Sequence, residues 1–464
     1  MTLIKSISGI RGTIGGKPGD NLTPHDIVKY TAAYGTWLQK KKAEHYKVVI
    51  GRDGRVSGPM VQQIVTGTLL ALGIDVIDLG LSTTPTVEMA VVNEGADGGI
   101  ILTASHNPKQ WNALKLLNEQ GEFISEADGE LVLKLAEKGD FNFAEVGKLG
   151  TYSTKDDYIA WHIQQILALP LVDVTAIRSK GFKVVVDAVN STGGIAVPML
   201  LRALGVENIV EISCEPDGLF SHNPEPLPEN LIALISEVKT TSADIGIAVD
   251  PDVDRLVFVN DDGNCFGEEY TLVAIADYVL QNKPGNTVSN LSSTKALKDV
   301  TIKRGGEHFG TAVGEVNVVT KMKEVNAVIG GEGNGGIIVP ELHYGRDALV
   351  GIALFLTHLA KFGKSVSVLR SQYPNYYMSK NKIQLSPEIN VDEVLKYIHK
   401  KYKKQPVNTV DGVKIEFDDN WVHLRKSNTE PIIRIYAESA NETTARTLAT
   451  KIMSDIKELT NGNG

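Results

Sequence analysis

The residues best suited to chemistry lie in two short segments set far apart in a chain of 464 residues: Ile101-Leu102-Thr103-Ala104-Ser105-His106-Asn107-Pro108 and Asp250-Pro251-Asp252-Val253-Asp254-Arg255. The first ends an apolar run with a hydroxyl in a turn, because Pro108 disfavours helix at Asn107. The second sets three carboxylates at alternate positions, which on an extended backbone would project to one face. Three converging carboxylates repel one another without a cation. Hard oxygen donors with no cysteine among them favour Mg²⁺, with Mn²⁺ as a substitute. An EF-hand calcium loop is excluded, since Arg255 stands where that loop needs glycine and Asp261 where it needs glutamate. A hydroxyl that can carry a phosphoryl group, beside an all-oxygen cation site, is equipment for phosphoryl transfer.

Ser-His-Asn-Pro recurs at Ser221-His222-Asn223-Pro224, so the tetrapeptide alone settles nothing. Ser221 lies in a Pro/Glu-rich loop. Ser105 instead follows a strand, at the carboxyl edge where α/β sheets place ligands. His106 is a candidate general base for the serine, although adjacent side chains on an extended backbone point apart, which favours a hydrogen-bonding role.

Two further loops carry binding groups. Gly330-Gly331-Glu332-Gly333-Asn334-Gly335-Gly336 is dense enough in glycine for a phosphate loop, for close approach of a small polar ligand, or for a tight structural turn. It lacks the Lys-Ser/Thr of a P-loop, and Glu332 is an acceptor better suited to sugar hydroxyls than to phosphate. Arg425-Lys426-Ser427-Asn428-Thr429-Glu430-Pro431-Ile432-Ile433-Arg434 concentrates guanidinium forks, hydroxyls and an amide that together could wrap one phosphate, or could simply decorate a hairpin.

The elements that position these loops read as α/β layers. Strands are expected at 46–50, 74–79, 98–102, 182–186, 244–249, 256–259 and 327–329, with helices at 58–72, 86–93, 156–167, 194–204 and 346–359. The last ninety or so residues differ: a helix at 391–401, short strands at 413–417, 421–424 and 432–437, and a closing helix at 441–459, an α+β pattern behind a linker near Tyr373-Pro374-Asn375. Domains are expected at 1–152, 153–255, 256–370 and 371–464. A net charge of −9 with mixed signs argues against general nucleic-acid binding. The cluster His399 to Lys404 reads as a solvated helix end. Two cysteines argue against a disulfide framework, and no apolar run reaches the roughly 18 residues of a membrane span. The cytoplasm is the default compartment.

With these four loops in this order, the chain resembles the α-D-phosphohexomutase family, whose pattern runs T-A/G-S-H-N-P, D-x-D-x-D-R, G-E-x-S-G and R-x-S-G/N-T-E/T-P. Gly9-Ile10-Arg11-Gly12, Gly51-Arg52-Asp53-Gly54-Arg55 and Glu215-Pro216-Asp217-Gly218 also look like family segments. The resemblance implies three related α/β domains and a C-terminal α+β domain like the TATA-binding-protein fold, around a central cleft. It implies that Ser105 carries a phosphoryl group, and that Asp250, Asp252 and Asp254 hold one Mg²⁺ per chain with Ser105 as a further ligand. Arg11 would stabilise the transferring group, and Lys115 would exchange the hydroxyl proton once nearby cations lower its pKa. Arg255, Glu332 and Asn334 would bind the sugar phosphate, with Arg425, Ser427, Asn428, Thr429 and Arg434 gripping the phosphate that is not reacting. The partner would be a hexose phosphate, with a hexose bisphosphate as activator and intermediate, no nucleic acid and no membrane, in a monomer or homodimer.

Within the family the chain looks most like bacterial phosphoglucosamine mutases, which convert glucosamine 6-phosphate to glucosamine 1-phosphate; Glu315, an acidic residue, stands where glucose/mannose-type enzymes tend to have histidine. Asn334 replaces the usual serine of the sugar loop. Asn428 is also a feature of phosphomannomutase/phosphoglucomutase sequences, which is the alternative reading. A phosphoserine-type phosphatase would need a water-activating site, and ten histidines show no paired ligand spacing for one. A non-catalytic sugar-phosphate sensor would have no reason to keep Ser105 together with the acidic triad.

Overall fold

Strand β5 (Gly98–Leu102) is buried along its whole length, so both of its faces are covered. It belongs to a seven-stranded sheet with β1 (Ile4–Ser6), β2 (Gly9–Thr13), β3 (Tyr46–Arg52), β4 (Ile74–Leu81), β6 (Trp111–Leu117) and β7 (Tyr152–Thr154), in the order β1-β2-β6-β5-β3-β4-β7. Strands β5, β3, β4 and β7 run parallel, and β6, β2 and β1 add on antiparallel. Period-two alternation explains the two covering layers. Val48 and Ile50 of β3 pack with Ile27, Val61 and Leu69 from helices Pro24–Gln39 and Gly58–Ala71. Val49, pointing the other way, packs with Val87 and Val91 of helix Thr84–Asn93.

The computed structural model describes residues 2–6, 9–41, 45–385, 389–426 and 432–461. They form two compact units, one of residues 1–271 with 334–369 and one of residues 272–333 with 370–464. The first unit holds a second sheet, of β8 (Lys183–Asp187), β9 (Asn208–Ile212), β10 (Ile245–Val249) and β11 (Leu256–Asn260), in the order β11-β10-β8-β9. By sequence pattern β11 is expected in the next α/β unit. It instead pairs antiparallel with β10, Val249 opposite Leu256, because the short acidic loop between them reverses the chain. That segment therefore closes the second sheet.

In the other unit, strand Thr287–Asn290 pairs in parallel with His308–Thr311 and with Ile329–Glu332. The C-terminal part is a five-stranded antiparallel sheet with strand order Tyr377–Gln384, Ile432–Ser439, Trp421–Lys426, Val413–Glu416, Val407–Asn408. Val391, Val394, Leu395 and Ile398 form one stripe on helix Val391–Lys401, whose bounds match the expectation. They share a core with Ile452 and Ile456 of the closing helix Glu442–Asn461 and with Ile433 and Ile435 of the sheet. No helix among the described residues is long and apolar enough to cross a membrane.

Candidate active site

Ser105 stands in a turn three residues beyond β5, with a left-handed backbone (φ 47°) that a serine adopts only when its surroundings hold it there. Thr103 supplies part of that restraint: its Oγ1 accepts the Ser105 N–H (2.9 Å) and donates to Asp53 Oδ2 (2.7 Å). Arg55 supplies the rest. Its side chain is fully buried; Nε meets Asp53 Oδ2 at 3.0 Å. Nη1 donates to the Pro108 and Trp111 carbonyls (2.8 and 2.9 Å) and Nη2 to those of Ser105 and Asn107 (2.6 and 2.7 Å). One planar guanidinium thus collects four carbonyls of the serine turn, a use that matches its fixed fork of donors. Gly54, between Asp53 and Arg55, approaches the second sheet so closely that a Cβ there would lie 2.9 Å from Ser191 Cα. Its N–H donates to Ser191 Oγ (2.9 Å), which donates to the Pro251 carbonyl (2.7 Å), so the serine scaffold and the acidic loop share a hydrogen-bonded link.

The acidic loop corrects the expectation of an extended segment. Asp250 Oδ1 accepts the N–H groups of Asp254 and Arg255 (both 3.1 Å), and the Val253 N–H bonds the Asp250 carbonyl (3.1 Å). Val253, β-branched and buried, sits at φ 63°, a strained conformation for its type. The carboxylates converge because the chain curls, not because a strand alternates. All three are fully buried, with ligand oxygens within 4.8 Å of one another. Ser105 Oγ donates to Asp250 Oδ2 at 2.6 Å, across 145 residues of sequence.

Cations and a hydroxyl meet the remaining carboxylates. Lys115 Nζ lies 2.6 Å from Asp252 Oδ2 and 3.4 Å from Asp254 Oδ2, Thr84 Oγ1 donates to Asp252 Oδ2 (2.5 Å), and Arg346 Nη2 donates to Asp254 Oδ2 (2.6 Å). Asp252 Oδ1 and Asp254 Oδ1 remain buried with no hydrogen-bond partner. Buried acceptors left unmet are costly. A hard divalent cation held by these oxygens, Asp250 and Ser105 would satisfy them, so the residues fit a metal of that class.

Burial and the neighbouring charges shift the titration of these groups in different directions. Burial, then the neighbouring Asp254 and Asp252, raise the Asp250 pKa well above the usual carboxylate range. For Asp254 burial works the other way from its partners, and Arg346, Lys115 and Arg255 hold it below that range. Lys115 was expected to have a lowered pKa. Burial does press it down, but Asp252 and Asp254 outweigh burial and Arg346, so its ammonium is held above the ordinary lysine value. His106 is pushed well below the ordinary imidazole value by burial and by Arg255, Arg11 and Arg346, with Asp254 pulling the other way. Its Nδ1 lies 3.5 Å from Ser105 Oγ, too long for strong proton exchange.

Arg11, on β2, pairs with Ala113 of β6 and so shares a face with Lys115 two residues along. Burial and the adjacent Arg255 lower its pKa, while Asp252 pulls the other way. Arg255 itself reaches Glu225 Oε1 (3.3 Å). Asn334 Oδ1 accepts the Gly336 N–H (3.2 Å). In the other unit Glu332 Oε1 accepts from Asn290 Nδ2 (2.8 Å) and from the Gly314 N–H (3.1 Å), beside buried Glu315 at the start of helix Glu315–Glu324. Arg425 and Arg434 stand directly opposite each other on paired strands, a like-charge arrangement that an anion would relieve. Ser427, Asn428 and Thr429 lie outside the described residues. Arg346 and Thr84 carry no motif that announces a role, and of these supports only Arg55 falls in a family-like segment, Gly51 to Arg55.

The second Ser-His-Asn-Pro is tied into the second sheet through its histidine. His222 Nε2 meets Asp187 at 3.0 Å and Nδ1 meets the Asn223 carbonyl at 2.8 Å, so both ring nitrogens face acceptors. Burial opposes the charged ring, but Asp187 and the carbonyl raise its pKa above the ordinary value. A raised folded-state pKa contributes stability below the unfolded value of about 6.5. That contribution is lost as pH rises through the folded value. As pH rises from about 6.5 through that folded value, melting temperature is expected to fall more steeply in the native protein than in a His222→Gln variant; parallel curves across that window would refute the pairing.

Mixed α/β sheets that bring a hydroxyl turn against an acidic hairpin define an α/β enzyme built for phosphoryl transfer. Four family models match in order: phosphoglucomutase/phosphomannomutase α/β/α domains I (3–143), II (160–263) and III (267–377), and the C-terminal domain (380–454). The chain belongs to this family, the α-D-phosphohexomutases. It is 38% identical to a phosphoglucomutase/phosphomannomutase of Thermococcus kodakarensis, over 94% of this chain and 95% of that one. It is 35% identical to a phosphoglucosamine/phosphogalactosamine mutase of Sulfurisphaera tokodaii, over 98% of each. A crystal structure of a Burkholderia thailandensis phosphoglucomutase/phosphomannomutase family protein superposes with TM-score 0.85 at 28% identity, covering 99% of this chain and 98% of that one.

Proposed function

We propose that this phosphohexomutase interconverts glucosamine 6-phosphate and glucosamine 1-phosphate through a phosphorylated Ser105. The observation that carries the reading is the 2.6 Å bond from Ser105 Oγ to Asp250, which seats a transferable hydroxyl among carboxylates and cations. In the first step the bond from Ser105 Oγ to phosphorus breaks as the free sugar hydroxyl bonds to phosphorus, its proton passing in net to Ser105 Oγ, which leaves as the free hydroxyl. The sugar bisphosphate turns over, and its other phosphoryl group returns to Ser105. Arg11 and Arg255 offer guanidinium donors to the equatorial oxygens, where electrostatics carries most of such catalysis. Lys115, whose Nζ lies 2.6 Å from Asp252 and 3.4 Å from Asp254, is placed to exchange a proton with the sugar oxygen. A Mg²⁺ held by Asp250, Asp252 and Asp254 would supply Lewis-acid stabilisation of the phosphoryl charge. Arg425 and Arg434 flank the loop that would grip the second phosphate.

Chelation is expected to abolish turnover and added Mg²⁺ to restore it; full activity after exhaustive chelation would remove the metal from the scheme. The amino-sugar assignment draws on buried Glu315 and on the Sulfurisphaera relative's name. A glucose/mannose phosphate specificity is the second reading, favoured by the Thermococcus relative. Comparing kcat/KM for glucosamine, mannose and glucose 6-phosphates separates them, and equal values would refute the amino-sugar preference.

A further inference from the structure

Behind the acidic loop, in the same unit, lies a second cluster of ligand-type side chains that the proposed reaction does not use. His162 Nε2 and His343 Nε2 converge on one oxygen, Asp347 Oδ2, at 2.9 and 3.3 Å. All three ligand atoms lie within 4.8 Å of one another. A tetrahedral ion with bonds of about 2.0 Å has ligand atoms about 3.3 Å apart, so the cluster already approximates such a set.

The second layer of contacts has the same character. His162 Nδ1 meets Thr86 Oγ1 at 2.9 Å, which in turn bonds Thr83 Oγ1 (2.7 Å). His343 Nδ1 lies 3.5 Å from Glu88 Oε2. Each imidazole thus directs Nε2 at the centre while an oxygen faces Nδ1, the arrangement that fixes tautomer and orientation in histidine metal sites. The other Asp347 oxygen is occupied: Oδ1 caps the helix Ala348–Phe362 by accepting the Leu349 and Val350 N–H groups (2.8 and 3.3 Å). Oδ2 alone is left for an ion. His162 and Asp347 are fully buried, whereas the His343 side chain is 12% exposed and gives the cluster an approach from solvent.

We infer that His162, His343 and Asp347 form a site for a Zn²⁺-class divalent ion, separate from the acidic triad. Two imidazoles and one carboxylate select a borderline metal, whereas the all-oxygen triad selects a hard one. The ion's place is structural. It would join helix Tyr158–Leu167, which carries His162, to the segment entering helix Ala348–Phe362. Arg346, next to Asp347, holds Asp254, and Thr84, at the start of the helix that carries Glu88, holds Asp252. Filling the cluster therefore braces two supports of the acidic loop.

The test is Co²⁺ loading of the untagged full chain in excess Mg²⁺, which keeps the oxygen triad occupied, followed by gel filtration. About one equivalent of Co²⁺ per chain should remain, with the strong visible absorption of four-coordinate cobalt, and a His343→Gln variant should retain below about a tenth of an equivalent. Zn²⁺ should displace the cobalt and raise the melting temperature of the native chain but not of the variant. Retention of the same cobalt and spectrum by His343→Gln overturns the assignment, as does a native chain that keeps none or shows only the faint spectrum of octahedral oxygen ligation.

Discussion

A Ser105→Ala variant is expected to lose at least about a thousandfold in kcat, because a nucleophile removed from a covalent mechanism leaves only binding and electrostatics. The loss should not come from unfolding. Ser105 contributes one side-chain bond to Asp250, whereas the turn itself is held through backbone carbonyls by Arg55. The variant should therefore keep its circular dichroism and its affinity for the sugar phosphate while losing turnover with every hexose phosphate tried. In the native protein, incubation with a hexose bisphosphate should add one phosphate to the peptide containing Ser105, and a monophosphate should discharge it. A sensor would bind without that exchange, and a phosphatase would release inorganic phosphate. Undiminished turnover by the alanine variant would end the phosphoserine scheme.

Arg55→Ala should give the largest loss of stability, about 3–5 kcal/mol, since it leaves Asp53 as an uncompensated buried charge. Four carbonyls would also lose their donors. Arg55→Lys separates charge from geometry: it keeps the charge, but three ammonium donors cannot reproduce a five-donor planar fork. We expect the lysine variant to recover part of the melting temperature yet remain slow, with kcat reduced more than KM, because the serine turn would no longer be held in register. Thermal melting and steady-state kinetics on both variants check this. A lysine variant with native kcat would show that the guanidinium geometry is immaterial.

Much of the frame was legible locally. Buried runs such as Gly98–Leu102 and stripes such as Val391, Val394, Leu395 and Ile398 carry their periodicity within a few residues, so a single sequence displays them. The edge strands β1 and β7, three residues each, are too short to show a period. Strand β11 is legible as a strand, but its place in the second sheet is not, because an apolar run does not say which neighbour it pairs with.

Ser105 and the Asp250, Asp252, Asp254 triad were legible as residue types whose clustering along the chain is costly without a function. How they converge was not. The curl of the acidic loop depends on Asp250 accepting two N–H groups from its own turn and on Val253 adopting a left-handed backbone, which no pattern of letters announces. The pKa of Lys115 moves opposite to expectation because two carboxylates 137 and 139 residues away outweigh burial and Arg346.

What the sequence alone determined, then, is the kind of chemistry and the family, since these reside in residue types and in the order of four loops. Tertiary structure decided the working geometry: Arg55 gathering the serine turn, Arg346 and Thr84 holding the carboxylates, and two histidines 181 positions apart by number, His162 and His343, meeting on Asp347. Interaction energies fall off within a few ångströms, and distance along the chain says little about distance in space until the sheets have formed.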